Sequence, residues 1–217
     1  LEQQRLLLDF SKSSPQQSTN FNAPLAVTRA CVLYVIRCLL DVDIPLNEGC
    51  FEPLDLIVPE GSVLNPIPPS AVVAGNVEGS QALCNLLFAA FGVQAASQGT
   101  MNNLSFGDAS RQYYETIAGG GGAGEGFSGS FGLQSHMTNS RLTDPEVLER
   151  RYPVRLERFA RRFGSGGGGR WVGGDGLERT LRFLEPMQLS LISGSRRIPP
   201  MGLNGGGAGA WGINSVL

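Results

Sequence analysis

The sequence predicts a mixed α+β fold, with two buried helices, mostly antiparallel β structure and glycine-rich loops. Three features carry this expectation. Two apolar stretches have helical spacing, short extended runs alternate with turn residues, and the 30 glycines fall partly in runs at Gly119–Gly122, Gly166–Gly169 and Gly205–Gly207. Such runs serve either as tight turns where backbones meet or as slack surface inserts, and the sequence alone leaves both readings open.

The stretch Leu6–Phe10 reads as a strand already in progress rather than as the start of a signal peptide. With Leu1 in place of a methionine, a piece of a longer protein is expected. A polar, aperiodic stretch at 11–20 hands over to the first helix, marked by Asn22 and by Pro24 in its first turn, and running to about Leu40. Its only charges, Arg29 and Arg37, fall on nearly one side, while Cys31, Leu33, Val35 and Ile36 fill much of the rest.

From Asp41 to Pro69 the prolines argue against helix and leave one short extended run at Leu54–Val58. A second helix is expected at Val77–Phe91, capped by Asn76 and stopped by Gly92, with Glu78, Gln81 and Asn85 forming one polar stripe.

Between Ala95 and Asn139 the composition turns to amides, hydroxyls and glycine, which predicts short strands joined by loops and marks this segment as the expected place for function. Thr143-Asp144-Pro145-Glu146 forms a capping box, with the Thr hydroxyl and Glu carboxylate as reciprocal caps of a short helix ending near Arg151. Extended runs follow at Val154–Phe159, at Arg170–Val172 and Leu177–Leu184 around the turn Gly173–Gly176, and at Met187–Leu191. With no repeat and no linker, one α+β unit over residues 1–217 is the expectation.

A formal charge of −2 and a pI near 5.5 give no electrostatic footprint for nucleic acid or an anionic membrane. The longest apolar run, Ala30–Leu40, is too short to span a bilayer and contains Arg37. Cys31, Cys38, Cys50 and Cys84 form no CxxC pair, and most sit in apolar surroundings, which favours reduced thiols in a cytoplasmic setting.

Lys12 is the only lysine, so the glycine run ending at Arg170 cannot be a Walker loop. His136 is the only histidine and cannot build a multi-histidine metal site; it is either a hydrogen-bonding structural residue or a general base. Glu115 is the nearest attractive carboxylate for orienting it, against the reading of a solvated strand residue. Gln98, Asn102 and Asn103 gather amides suited to polarising a carbonyl, although asparagines in turns often bond their own backbone. No GxSxG elbow is present, and no cysteine stands beside the histidine, so covalent catalysis has little support.

Ordered motifs run along nearly the whole chain: Asn22-Ala23-Pro24, Asp43-Ile44-Pro45-Leu46-Asn47, Gly75-Asn76-Val77 with Ser80-Gln81, and Ala96-Ser97-Gln98-Gly99 with Met101-Asn102-Asn103. Tyr113-Tyr114-Glu115-Thr116, Ser135-His136-Met137-Thr138-Asn139, Arg151-Tyr152-Pro153 and Gly173-Gly174-Asp175-Gly176 continue the series. On these residues the chain resembles the C-terminal part of the hydantoinase B region of the hydantoinase B/oxoprolinase family.

The resemblance implies ATP-dependent opening of 5-oxo-L-proline to L-glutamate, a step of glutathione metabolism. ATP and a divalent cation would be bound outside this chain, and a hydantoinase A-like region in the same chain or a separate subunit would be a partner, within a homo-oligomer. It also implies catalytic roles for His136 and Glu115, substrate contacts by Gln98, Asn102, Asn103, Thr138 and Asn139, and no metal ligand in this chain. Gln134 departs from the family pattern, standing where related sequences often have a second histidine, and Gly194-Ser195 precedes Arg196-Arg197 where a hydroxyl and an acidic residue are usual. Rival readings are a hydantoin-opening homologue, an ATP-dependent carboxylase subunit, and a structural fragment without chemistry.

Overall fold

The structure is a computed structural model that describes residues 5–40 and 42–217. Leu1–Gln4 and Asp41, the first residue of the proline-rich stretch, lie outside the described residues. The chain forms two compact units, 1–87 and 88–217. The division falls inside a helix rather than at a linker, so no Gly/Pro/Ser-rich boundary announces it.

In the first unit, β1 (Leu6–Asp9) pairs in parallel with β2 (Leu54–Ile57), both at the extended runs expected. Helix α1 (Leu25–Leu39) buries Thr28, Cys31, Val32 and Val35, which recur at the spacing of a single helix face. Pro24, fixed near φ −57°, occupies the cap position with no side-chain bond. Asn22 is not the cap. Its fully buried amide instead accepts from the Gln17 backbone amide and donates to the carbonyls of Gln17, Thr19 and Ala71, clamping the preceding loop.

Asn76 does not start a regular helix either. Residues Gly75–Gly79 wind as a π turn that leads into α2 (Ser80–Ala90). Glycine is required at 75 because a Cβ there would lie 2.0 Å from the Asn22 carbonyl oxygen. Gly92, at φ +70°, terminates α2 as expected. The stripe Glu78, Gln81 and Asn85 is buried, not solvated. Cys31 and Cys84 are buried together, and the neighbouring Cys31 thiol and desolvation both raise the Cys84 pKa.

The second unit holds an antiparallel three-stranded sheet in the order β4–β3–β7, built from β3 (Asn103–Gly107), β4 (Gln112–Thr116) and β7 (Gln188–Ile192). A separate antiparallel pair joins β5 (Val154–Arg162) to β6 (Gly176–Phe183), with an irregularity between Leu156 and Arg158. Leu104, Phe106, Tyr113, Leu148 and Val154 form the core of this unit, with Tyr152, Leu181 and Phe183 packed around them. Phe106 meets Tyr152 and Phe183 edge-on, the geometry favoured by the aromatic quadrupole.

Helix α3 (Pro145–Arg151) begins one residue later than the capping box implied. Asp144, not Thr143, is the cap, and its carboxylate accepts from the backbone amides of Glu146 and Val147. Arg170–Val172 forms no strand. It belongs to the long glycine-rich connection between β5 and β6, where the backbone packs against other loops instead of a sheet edge. Among the described residues no helix is long and apolar enough to cross a membrane.

Candidate functional site

The glycine runs decide the shape of the second unit. A Cβ on Gly120 would stand 1.9 Å from the Gly174 carbonyl oxygen, and one on Gly122 would stand 1.8 Å from that of Ala95. The loops therefore stack backbone on backbone. Their amides are used in the stacking: Gly121 donates to Ser130, Gly174 to Gly121, Gly173 to Gly167 and Gly207 to Gly168. At these positions the runs act as tight packing elements.

These layers wall a cavity of about 790 Å³ lying wholly within the second unit. Its size is within the range of small-molecule sites. The specific chemistry of its wall comes from side chains: Gln98, Asn102, Ser193, Arg196 and Asn214. They form one connected network. Gln98 Nε2 donates to the Ile117 carbonyl at 3.2 Å, and Asn102 Nδ2 donates to Gln98 Oε1 at 2.8 Å. Arg196 Nη2 donates to Asn102 Oδ1 at 2.9 Å and to Asn214 Oδ1 at 3.0 Å, and Asn214 Nδ2 donates to Ser193 Oγ at 3.1 Å.

Local backbone geometry sets this network in place. Asn102 sits at φ +46° and Ser195 at φ +53°, left-handed conformations that side chains adopt only where the surroundings hold them. At Asn102 the backbone amide is held by Thr100 Oγ1, and Ser195 Oγ donates to the Gln98 carbonyl at 2.6 Å. The Arg196 guanidinium lies against the backbone at Gly212, where a Cβ would come within 1.8 Å of Nη1.

Of the residues singled out in the sequence, Gln98 and Asn102 line the cavity; Glu115, His136, Asn103, Thr138 and Asn139 do not. Glu115 is buried under the sheet, where Arg179 grips both carboxylate oxygens, at 2.6 and 2.9 Å, and the Tyr113 hydroxyl donates at 2.8 Å. The arrangement expected for a solvated strand residue is absent. Its partner Arg179 also packs over Phe159, 5.2 Å from the ring centroid, and belongs to the cavity wall.

Asn103 lies in β3, donating to the Ile192 carbonyl and accepting from the Tyr114 hydroxyl. Thr138 is buried in the turn after Ser135, and Asn139 is exposed. Gln134 Nε2 donates to both oxygens of Thr116 and so anchors its loop to β4.

His136 stacks on Phe88 with ring centroids 5.3 Å apart, in a left-handed backbone conformation at φ +55°. Burial lowers its pKa from the ordinary 6.5 to about 4, so the imidazole is neutral at physiological pH. An unfolded chain takes up the proton that the folded chain refuses. Stability present above pH 6.5 is therefore lost as the pH falls towards 4, by up to about 3 kcal/mol. His136→Asn, which tolerates the backbone conformation, is expected to flatten this part of the pH dependence. Urea unfolding of both proteins at intervals from pH 7 to 4 measures it, and parallel curves would refute it.

Arg196, Asn214 and Ser193 were missed as site residues. Their signal was weak: an Arg-Arg pair close to a glycine run, with nothing in the spacing to tie it to residues about 95 positions earlier. Among the described residues no group of three or more His, Cys, Asp or Glu side chains is arranged to hold a metal ion.

The model of the hydantoinase B/oxoprolinase family matches residues 1–216. The chain belongs to the hydantoinase B/oxoprolinase family. It is 51% identical to 5-oxoprolinase 1 of Arabidopsis thaliana over 209 residues, which cover 96% of this chain and 16% of that protein. Among solved structures, a nucleotide-free acetone carboxylase matches with a TM-score of 0.82 at 20% identity, over 95% of this chain and 30% of that one. The ATP-dependent caprolactamase of Pseudomonas jessenii matches with a TM-score of 0.67 at 24% identity, over 85% and 35% respectively. The two structures support the fold alone. This hydantoinase B/oxoprolinase segment thus spans about a sixth of the plant relative's length.

Proposed function

We propose that the protein opens the cyclic amide of 5-oxo-L-proline to L-glutamate at the expense of ATP, and that this chain contributes part of the hydrolytic half. The observation that carries the reading is the amide–guanidinium network on the wall of a glycine-lined cavity, in a chain half identical to a named 5-oxoprolinase. A lactam resists water because its amide is resonance-stabilised. ATP, held with its cation outside this chain by a hydantoinase A-like region, supplies the activation that makes ring opening favourable.

The residues of this chain bind and orient. Gln98 and Asn102 satisfy one another and the Ile117 carbonyl, so the wall is fixed before a ligand arrives and little reorganisation accompanies binding. In this reading Glu115 acts through Arg179, and His136, Asn103, Thr138 and Asn139 support the loops without touching the ring.

A full-length protein carrying this segment, assayed for ADP release with 5-oxoproline, a hydantoin, and a small ketone plus bicarbonate, tests the proposal. ADP and glutamate are expected in equal amounts with 5-oxoproline. Stimulation by the hydantoin or the ketone instead would transfer the reading to a hydantoinase or a carboxylase. ADP release with none of the three would favour a structural role.

A further inference from the structure

We propose that the outer edge of β1 is a docking edge, where a strand from the part of the full-length protein outside these 217 residues joins and extends the β1–β2 sheet. The inference rests on the reading that this chain is one part of a longer protein, and it names where that remainder attaches.

Two parallel strands are a poor place for a sheet to stop. All-parallel sheets occur almost only with both faces covered, and a two-stranded sheet is marginal in isolation. Among the described residues β1 and β2 pair only with one another. One face of the pair carries Leu7, Asp9, Asp55 and Ile57, and there Leu7 is 56% and Ile57 44% exposed. On the opposite face Leu6 and Leu54 border an apolar cavity of about 350 Å³, shared with Ile36, Leu39 and Ile44.

The two outer edges are not equivalent. Leu6 donates to the Pro53 carbonyl at 3.0 Å and Phe10 to that of Ile57 at 2.8 Å, so the even-numbered residues of β1 face β2. Backbone groups alternate sides along a strand, and Leu7 and Asp9 therefore turn their amides and carbonyls outward. Among the described residues no hydrogen bond outside the β1–β2 ladder involves the backbone of either. On β2 the outward residue is Leu54, and its carbonyl accepts from Arg5 Nη2 at 3.3 Å. Two bonds to the Asp55 carboxylate, at 2.8 and 2.7 Å, hold Arg5 there. Arg5 thus covers the start of the β2 edge and leaves the β1 edge open.

The occupant follows from length and from the chemistry of the two faces. The chain covers 16% of its plant relative and 17% of the Dictyostelium discoideum 5-oxoprolinase, so most of such a protein lies outside it. A strand added at β1 sets alternate side chains beside Leu6, towards the apolar cavity, and beside Leu7, over the exposed face. The strand that fits is apolar on the cavity side.

Hydrogen exchange of the full-length protein, read by mass spectrometry with fragmentation to single amides, tests the inference. The outward Leu7 and Asp9 amides are expected to exchange at least about 100-fold more slowly than in an unstructured peptide, as the ladder amide of Leu8 does. Fast exchange at Leu7 and Asp9 would overturn the inference. Protection that vanishes on dilution to monomers would make a second copy the occupant, and would overturn it equally.

Leu7→Pro supplies the second measurement, because it removes an outward amide and keeps the bonds of Leu6 and Phe10 to β2. With the variant shown to be folded by its unfolding midpoint, exchange at Asp9 is expected to rise roughly 10-fold or more. Unchanged exchange at Asp9 would trace the protection to something other than a joined strand. Both measurements are made without substrate or ATP, so a protein that opens no lactam still decides the inference, and an unprotected edge leaves the proposed reaction standing.

Discussion

Replacing Glu115 by alanine is expected to lower the free energy of unfolding by about 3–5 kcal/mol, because it strands a buried guanidinium. The Glu115 and Arg179 side chains are 2% and 3% exposed, and two parallel hydrogen bonds join them. Removing the carboxylate also leaves the Tyr113 hydroxyl without its 2.8 Å acceptor at the edge of the core. Glu115→Gln keeps an oxygen for the fork but not the charge, so its loss should be intermediate.

Denaturant unfolding of the two variants beside wild type gives the ranking. The double variant Glu115→Ala/Arg179→Met supplies the control: it removes both charges and should recover much of the loss. An alanine variant as stable as wild type would show that the pair lies in a wetter setting than its burial indicates. Such a result would also remove the basis for treating Glu115 as a positioning residue of the cavity wall.

The case of Glu115 illustrates how far a sequence can be read. Its alternation within Tyr113-Tyr114-Glu115-Thr116 marks a strand, and the strand is present at Gln112–Thr116. Which face it buries depends on Arg179, 64 residues later, and no local pattern contains that partner. The same limit applies to Arg196 and Asn102, which meet across 94 residues. Elements set by local periodicity, such as α1, β5 and β6, were legible for the opposite reason.

Where expectation and structure differ, a tertiary interaction outcompetes a local one. Asn22 has the chemistry of a cap, but four bonds to the surrounding loop use its amide more fully. In the capping segment Thr143 and Asp144 are both competent caps, and Pro145 at the first helical position selects Asp144. Of Gln98, Asn102, Asn103, Glu115, His136, Thr138 and Asn139, only Gln98 and Asn102 line the cavity.

Gly166–Gly169 offers the most direct test of the stacked loops, because positions two residues apart in one run should respond in opposite directions. A Cβ at Gly166 would lie 2.0 Å from the Gly173 carbonyl oxygen, backbone against backbone, with no flexible side chain to yield. At Gly168 nothing stands within 4 Å, and its backbone is outside the left-handed region. Gly166→Ala is therefore expected to destabilise by about 3 kcal/mol, the upper range for forced overpacking. Gly168→Ala should be neutral or add roughly 0.5 kcal/mol, by reducing the freedom of the unfolded chain. Urea midpoints of the two variants measure the contrast. If the run were a slack surface insert, both alanines would behave as the second does, and the cavity would not have a rigid wall on this side.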